Sequence, residues 1–406
     1  MNIFTAIRHA NNPKEFDSGL WSQNFYPALK QLGHTLIESQ VDLLPVSRFM
    51  HIPKGFNAQE REVRAEITQK ILDEVKAVHQ KTPIDLFLSY FYNAHFDPAG
   101  FEKIHKLGIT TVNFYCNSIN YFELVTDISQ KVNFAWHSEK NARPRYLQLG
   151  ANPVWVQMGA DPNLYYPVLN LTRQKKACFV GQRYADRAQY LAKLITENVP
   201  VNIYGRSWGA EIPESCQEEE SQQIPSHYLG RKTLQPGSLA GYTYAIQRNF
   251  QRSGMIGGIK RTISQFNERR QNRQLFPVVA TAAQGYAKSI SETFSSHEVV
   301  LNFSNVWSDG RPGSKLIPHV RLRDFEAPLC RSCYLTGYTE EIAEFYELGK
   351  EIDTYQSPEE LVDKVKFYLN HPQDAENLRE AAYQRATRDH TWVTRFQELF
   401  QKVGLK

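Results

Sequence analysis

Val299-Val300-Leu301-Asn302-Phe303-Ser304 is a short β-branched and aromatic run that turns polar at its end, the pattern of a parallel strand buried on both faces. A basic loop, Arg311 to Lys315, follows it. Arg321-Leu322-Arg323-Asp324-Phe325-Glu326-Ala327-Pro328-Leu329-Cys330-Arg331 then reads as a charged helix start, and Cys333-Tyr334-Leu335-Thr336 as a second strand closed by Gly337. Strand, arginine-bearing loop, helix with a carboxylate and strand make a βαβ unit whose loop side can hold an anion. A diphosphate concentrates charge and calls for guanidinium forks and backbone N–H groups at a helix start. A ribose offers neighbouring hydroxyls that one carboxylate can accept together. Arg321, Arg323 and Glu326 fall close enough in sequence to share roughly one side of a helix. The same spacing also permits a plain i, i+3 salt bridge from Arg323 to Glu326 on a solvated face, with no ligand involved.

Working outward, Phe325-Glu326-Ala327-Pro328-Leu329-Cys330, Tyr334-Leu335-Thr336, Gly349-Lys350-Glu351-Ile352, Ser357-Pro358-Glu359-Glu360-Leu361, His390-Thr391-Trp392 and Arg395 follow one another in order. Together they resemble the C-terminal half of the CgeB-like (spore-maturation-type) glycosyltransferases, and that half is similar to the nucleotide-sugar domain of GT-B glycosyltransferases generally. The resemblance extends upstream through Cys178-Phe179-Val180-Gly181 and Asn202-Ile203-Tyr204-Gly205, and more weakly into the N-terminal half, leaving out residues 235–280. It implies an α/β, GT-B fold of two Rossmann-like domains facing across a cleft, the first taking an acceptor and the second a nucleotide sugar. The activity implied is metal-independent transfer of a sugar from a UDP- or GDP-sugar to an acceptor hydroxyl, with no further cofactor. Glu326 matches the ribose-holding glutamate of the broader GT-B pattern. The earlier glutamate of that pattern would fall at Pro318, so this sequence lacks one member of the pair.

With 406 residues the chain exceeds what one core usually supports, so two domains are expected. The boundaries read as 1–160 for the acceptor domain, 161–390 for the nucleotide-sugar domain and 391–406 for a last helix crossing back to the first domain. Gly159-Ala160-Asp161-Pro162-Asn163 and Tyr166-Pro167 mark the linker between the first two. No run approaches about 18 consecutive apolar residues, and the N-terminus enters directly into Asn2-Ile3-Phe4-Thr5-Ala6-Ile7 without a signal peptide, which predicts a cytoplasmic protein. Five cysteines make no disulfide framework. Their only close pair, Cys330 and Cys333, has no second Cys or His pair nearby, so no metal site is expected. The net charge of +4 does not by itself call for nucleic acid.

In chain order, the first strand leads to a polar loop and then to Asp17-Ser18-Gly19-Leu20, the opening of a helix that runs to about Leu32, with Gly33 as its C′ residue. The loop bearing Gly19 resembles the acceptor-side loop of GT-B enzymes, although Gly19 equally suits a plain tight turn. Residues 58–80 carry Val63, Ile67, Ile71, Leu72, Val75 and Val78 on one helical stripe. Further strands are expected at Ile84–Ser89, Thr110–Tyr115 and Asn133–His137. Ligands bind outside the carboxyl ends of parallel strands, which is where His95, Asn117, Asn120 and His137 stand. A histidine there can take a proton from an acceptor hydroxyl. His95 is the choice, with Asp97 close enough to orient it; a satisfied turn histidine is the plainer alternative. Asn117 and His137 are assigned to the acceptor side.

The second domain restarts at Ala177–Val180, and Gly181 followed by Arg183 and Arg187 at a helix start suits phosphate. After the next strand, Gly205-Arg206-Ser207-Trp208-Gly209 stands where the resembling enzymes place the nucleotide base. Arg206 is assigned to the donor, and Trp208 either stacks on the base or belongs to the core. Donor candidates are therefore Gly181, Arg183, Arg206, Lys315, Arg321, Arg323 and Glu326. Between Arg248 and Arg273 there are seven Lys or Arg and one acidic residue, Glu268. Two helices around Tyr242–Arg252 and Lys260–Arg273, joined at Gly254–Gly258, are expected. This basic insertion can contact an anionic surface through 248–273, a phosphorylated acceptor or nucleic acid, or stand as a solvated insertion or oligomer contact. It lacks the aromatic interleaving of a single-strand binder and a compact apolar face of the usual membrane kind. Besides glycosyl transfer, an epimerase of the same fold and a non-catalytic nucleic-acid or anion-binding protein remain open readings.

Overall fold

The structure is a computed structural model that describes residues 1–7, 20–209, 227–228, 231–232 and 239–405. Gly19 lies outside the described residues. The chain divides into two compact units. The first comprises Met1–Met158, His227–Lys232 and Trp392–Lys406; the second comprises Gly159–Ser226 and Thr233–Thr391.

In unit 1 the apolar runs become six parallel strands: β1 Asn2–Ala6, β2 Thr35–Glu38, β3 Leu86–Ser89, β4 Thr110–Tyr115, β5 Phe134–His137 and β6 Pro153–Trp155. Their order is β2-β1-β3-β4-β5-β6, with the sheet reversing direction between β1 and β3. Strands such as Leu86-Phe87-Leu88-Ser89 are buried throughout, as a parallel sheet covered on both faces requires. Helix α1, Tyr26–Gln31, ends before Gly33, whose φ of 81° is the left-handed conformation a helix stop needs. Helix α2, Ala58–Lys81, is started by a capping box in which Asn57 and Glu60 exchange hydrogen bonds, and it buries Ile67, Ile71, Leu72 and Val75. Val63 and Val78 flank that stripe, partly buried.

Unit 2 is built on β7 Gln174–Val180, β8 Val201–Tyr204, β11 His297–Leu301, β14 Tyr334–Gly337 and β15 Asp353–Tyr355, parallel and ordered β15-β14-β11-β7-β8. The numbering leaves room for two short antiparallel ladders. One, which belongs to unit 1, joins β9 His227–Tyr228 to β10 Arg231–Lys232; the other, in unit 2, joins β12 Asn305–Trp307 to β13 Leu316–Pro318. From β7 the chain moves to β8 on one side and later returns to β11 on the other, so the strand order switches between β7 and β11. Helix α3, Arg187–Thr196, follows β7. Residues 239–280 form α4, broken at Gly254 (φ 67°) into two helices. Those two helices fold against each other: Asn249 donates to Thr262 and Gln265, and a Cβ on Gly258 would overlap Phe250. Helix α5, Arg323–Leu329, precedes β14, and α6, Pro358–Asn370, is capped by Ser357, which accepts from Glu360 N. Arg311–Lys315 is thus the tip of the β12–β13 hairpin rather than a plain loop feeding a helix.

The last helices are α7, Pro372–Asp389, and α8, Trp392–Val403. Helix α8 belongs to unit 1. Trp392 and Phe396 bring their rings to 4.4 and 5.1 Å from Phe25, and Phe396 lies 5.7 Å from Trp136. Arg395 Nε donates to Met158 O, and Lys402 Nζ to Trp155 O. Among the described residues no helix is long and apolar enough to cross a membrane. Because Trp392 is 1% exposed, Trp392→Ala should cost about 3–5 kcal/mol. A urea titration followed by circular dichroism should show the loss as an earlier first transition.

Candidate functional site

The switch between β7 and β11 opens a crevice at the carboxyl edge of the unit 2 sheet, where open α/β sheets bind ligands. Its backbone is closely packed. Gly205, at φ 127°, lies so near Gly181 that a Cβ there would overlap the Gly181 carbonyl oxygen. Gly181 N donates to Tyr204 O and Gly205 N to Gly285 O, which fixes both turns. Trp208, 1% exposed, donates its indole N–H to Gly181 O at 2.7 Å and meets Phe179 edge-on. It braces the turn from inside the core and does not present a stacking face for a base. On the other side of the crevice, Gly337 is held against Ser304, where a Cβ would overlap the hydroxyl.

Three guanidinium groups gather on aromatic rings along this edge. Arg183 lies 4.9 Å from the Phe276 ring centroid, and its Nη1 has no hydrogen-bond partner among the described residues. Arg187 lies over Phe179 and Tyr184 and donates to Gln182 O. Burial, and then the nearby Arg321, push its pKa down to about 10. Arg321 lies 5.7 Å from the same Tyr184 ring and makes a long contact to Asn305 O. Beside them Asp186 accepts from Asn305 at 2.6 Å, and burial raises its pKa. Partly desolvated like charges set side by side favour an anion between them.

The remaining donor candidates are distributed as follows. Arg206 donates to the Tyr286 hydroxyl at 2.7 Å, at the edge of β8. Lys315 is exposed on the β12–β13 hairpin, which is clasped to α4 by Arg261 on Asp309 and by Gly313 N on Glu268. Arg323 and Glu326 form the i, i+3 ion pair at 2.6 Å, but it is buried, with Glu326 5% exposed. Tyr165 hydrogen-bonds Glu326, and burial followed by that carboxylate raises the tyrosine's pKa. A carboxylate has about four acceptor sites, so these two partners leave capacity for a diol.

A residue the sequence reading passed over organises this helix start. Asp324, 1% exposed, accepts from Asn302, Tyr334 and Thr336 through Oδ1, and from Arg321 N through Oδ2. Its position three residues after an N–H it can accept was the available signal, of the kind seen at helix starts.

In unit 1, His95 departs from the role expected of it. It is 2% exposed; its Nδ1 accepts from Tyr92 N at 2.9 Å and its Nε2 meets Ser47 Oγ at 3.1 Å. The Ser47 hydroxyl donates to Leu43 O, so the network assigns the proton to His95 Nε2 and leaves no lone pair for a hydroxyl proton. Asp97 does not orient the ring: it accepts from Ala99 N. Asn117 precedes the short helix Ser118–Tyr121 and its carbonyl accepts from Tyr121 N. His137, fully buried, donates from Nδ1 to Glu139 O and stacks on Tyr146 at 4.9 Å. Burial holds its pKa down at about 4.

Comparison with known proteins accords with this architecture. Residues 256–401 match the family model described as glycosyl transferase-like. No curated protein sequence matches the chain. Among solved structures, sucrose-phosphate synthase from Thermosynechococcus elongatus is similar at TM-score 0.54 and 12% identity, covering 100% of this chain and 99% of that one. Anabaena HepE in complex with UDP is similar at TM-score 0.52 and 11% identity, covering all of both chains. A glycosyltransferase from Rickettsia africae is similar at TM-score 0.54 and 10% identity over 99% of this chain and 97% of that one. At such identities the likeness is one of fold: the chain has an α/β fold of the GT-B kind, and residues 256–401 match the glycosyl transferase-like model.

His137 makes a pH prediction. Between 6.5 and about 4 the unfolded chain binds a proton that the folded one refuses, so stability falls as pH drops through that window. His137→Gln should remove roughly 3 kcal/mol of that decline, read as a smaller difference between urea midpoints at neutral pH and near the folded pKa. His95→Gln should lower stability through its broken network by about 1–3 kcal/mol, measured at neutral pH.

Proposed function

We propose that the protein transfers a sugar from a nucleotide-diphosphate sugar, UDP- or GDP-linked, to an acceptor hydroxyl. The observation that carries this reading is the cluster of Arg183, Arg187 and Arg321 on Tyr184, Phe179 and Phe276 at the switch point of the unit 2 sheet. Arg183 and Arg321 would face the diphosphate, with Arg187 fixing the turn beneath them through Gln182 O. Glu326, held by Arg323 and Tyr165, would accept the ribose hydroxyls. Arg206 and Tyr286 would border the base.

As the glycosidic bond breaks, the diphosphate gains negative charge, and guanidinium groups already positioned in a partly dry crevice stabilise that charge without reorganising. Their charge can serve the leaving group without a metal ion, so the reading is metal-independent. Support for UDP comes from Anabaena HepE, which has been solved with UDP and with UDP-glucose. The reading includes membership in the CgeB-like group, which the stretch from Phe325 to Arg395 resembles. With its one ring lone pair taken by Tyr92 N and its Nε2 proton directed at Ser47, His95 is not part of the proposed machinery.

Thermal unfolding with UDP, GDP, dTDP, ADP and CMP tests the donor site. A ligand at about 100 times its dissociation constant adds roughly 2.7 kcal/mol to the state that binds it. One uridine or guanosine nucleotide should raise the midpoint, and Arg183→Ala should abolish the rise while the unliganded midpoint stays within a few degrees. No shift with any nucleotide would overturn the proposal.

A further inference from the structure

The carboxyl edge of the unit 2 sheet also holds a small cavity of about 210 Å³. It is lined by Asp186 and Tyr190 at the start of α3, by Ser304 and Asn305 after β11, and by Tyr338 and Gln356 just beyond β14 and β15. That volume is below the ~300 Å³ at which sites for drug-sized molecules begin, so it suits one ring of a substrate and not a whole nucleotide. Asp186 stands at the N-cap position of α3, where an aspartate ordinarily accepts from the helix's own amides, yet its side chain makes no such bond. Its Oδ2 accepts from Asn305 at 2.6 Å, while its Oδ1 has no hydrogen-bond partner among the described residues, and the residue is 6% exposed. A buried carboxylate oxygen left without a donor is held against its desolvation cost, in keeping with the upward push that burial gives the Asp186 pKa.

The rest of the lining complements that carboxylate. The Gln356 side chain is exposed and makes no hydrogen bond among the described residues; only its backbone N–H is used, by Glu360. Tyr190 packs its ring 5.4 Å from Tyr355 and 5.6 Å from Phe303, and both of those rings line the cavity as well. A carboxylate and an amide can take hydroxyl hydrogens, and aromatic rings can cover the C–H face between them, which together suit a pyranose. A phosphate here would set its charge against Asp186. Pro318, where the broader GT-B pattern carries its earlier glutamate, lines the same cavity, and Asp186 brings a carboxylate to it from α3. The cavity adjoins the arginine cluster, since Arg321 donates to Asn305 O and the Asn305 side chain holds Asp186. We infer, resting on the donor site proposed for Arg183 and Arg321, that this cavity receives the sugar ring of the nucleotide sugar. Asp186 Oδ1 accepts from one ring hydroxyl and the Gln356 amide engages another, and the two residues set which sugar is taken.

The test compares ligands that share a nucleotide and differ in the sugar. Titration calorimetry of the purified full chain is run with UDP, UDP-glucose, UDP-galactose and UDP-N-acetylglucosamine, and with GDP, GDP-glucose and GDP-mannose. On the nucleotide that binds, one sugar should be preferred over another by about ten-fold or more, the value of a hydrogen bond to a buried charge. Asp186→Asn keeps an oxygen for Asn305 and puts an amide N–H₂ where Oδ1 accepts. It should shrink that preference to about two-fold while the affinity for the bare nucleoside diphosphate stays within about two-fold. Gln356→Leu, at an exposed position, should also weaken the preference, and it decides the question if Asp186→Asn does not fold. The sugar assignment alone is overturned if the bare nucleoside diphosphate binds and the wild-type chain takes every sugar on it alike, or if the preference survives both substitutions. It is overturned too if both variants lose the bare nucleoside diphosphate along with the preference. If no nucleotide binds at all, the donor site falls and the sugar assignment falls with it.

Discussion

The buried carboxylate of Asp324 is the interaction on which the carboxyl edge of unit 2 depends. Three side-chain donors from β14 and from the residue after β11 converge on one oxygen, while the other oxygen takes the Arg321 amide. Tyr346 adds a hydrogen bond to the Asp324 carbonyl. Burial raises the carboxyl's pKa in spite of these donors, so the group is held against a real desolvation cost. Losing it would strand several buried donors, each costing about 1–3 kcal/mol. Through this one residue the start of α5 is tied to two strand ends. That tie sets where Arg321 enters the crevice and where Arg323 and Glu326 fall one turn later.

Electrostatics then sets the arginines of unit 2 in two kinds of surroundings. Arg379 reaches Glu298 and Glu376, and Arg331 reaches Glu376 and Glu380. Around Tyr184, Arg183, Arg187 and Arg321 share aromatic floors, and the neighbouring Asp186 is engaged by Asn305. The insertion is matched internally and open externally: Arg261 and Glu268 are spent on the β12–β13 hairpin, while Met255, Ile256, Ile263 and Phe266 of α4 stay exposed.

Much of the fold was legible in sequence wherever local rules operate alone. Thr110–Tyr115 forms β4 with the expected bounds, Gly33 is a left-handed helix stop, and Ser357 caps α6. The break in α4 falls at Gly254, within the predicted joint. The site was legible in its residue types but not in its partners. Arg323 and Glu326 pair at the spacing that allowed it, yet the pair is buried, which spacing cannot reveal. Trp208 and His95 sit at strand ends as expected and face inward. The hairpin between β11 and α5 was read as a loop because its strands are only three residues long, too short for a period of two to register.

What the sequence determined by itself was the kind and order of elements, the division into two α/β halves, and the resemblance carried by the stretch from Phe325 to Arg395. Those signals lie within a turn or two of each residue, where capping, glycine and apolar periodicity act. Tertiary structure decided which polar groups have partners and which keep a lone pair or a charge for a ligand. Asn305 meets Asp186 across 119 residues, and His95 meets Ser47 across 48. A hydrogen bond between residues so far apart is set by the packing of whole elements, and no local pattern encodes it. For that reason the sequence could nominate arginines and histidines for a site, and only the folded chain could show that three of the arginines gather on shared aromatic rings and that His95 is already occupied.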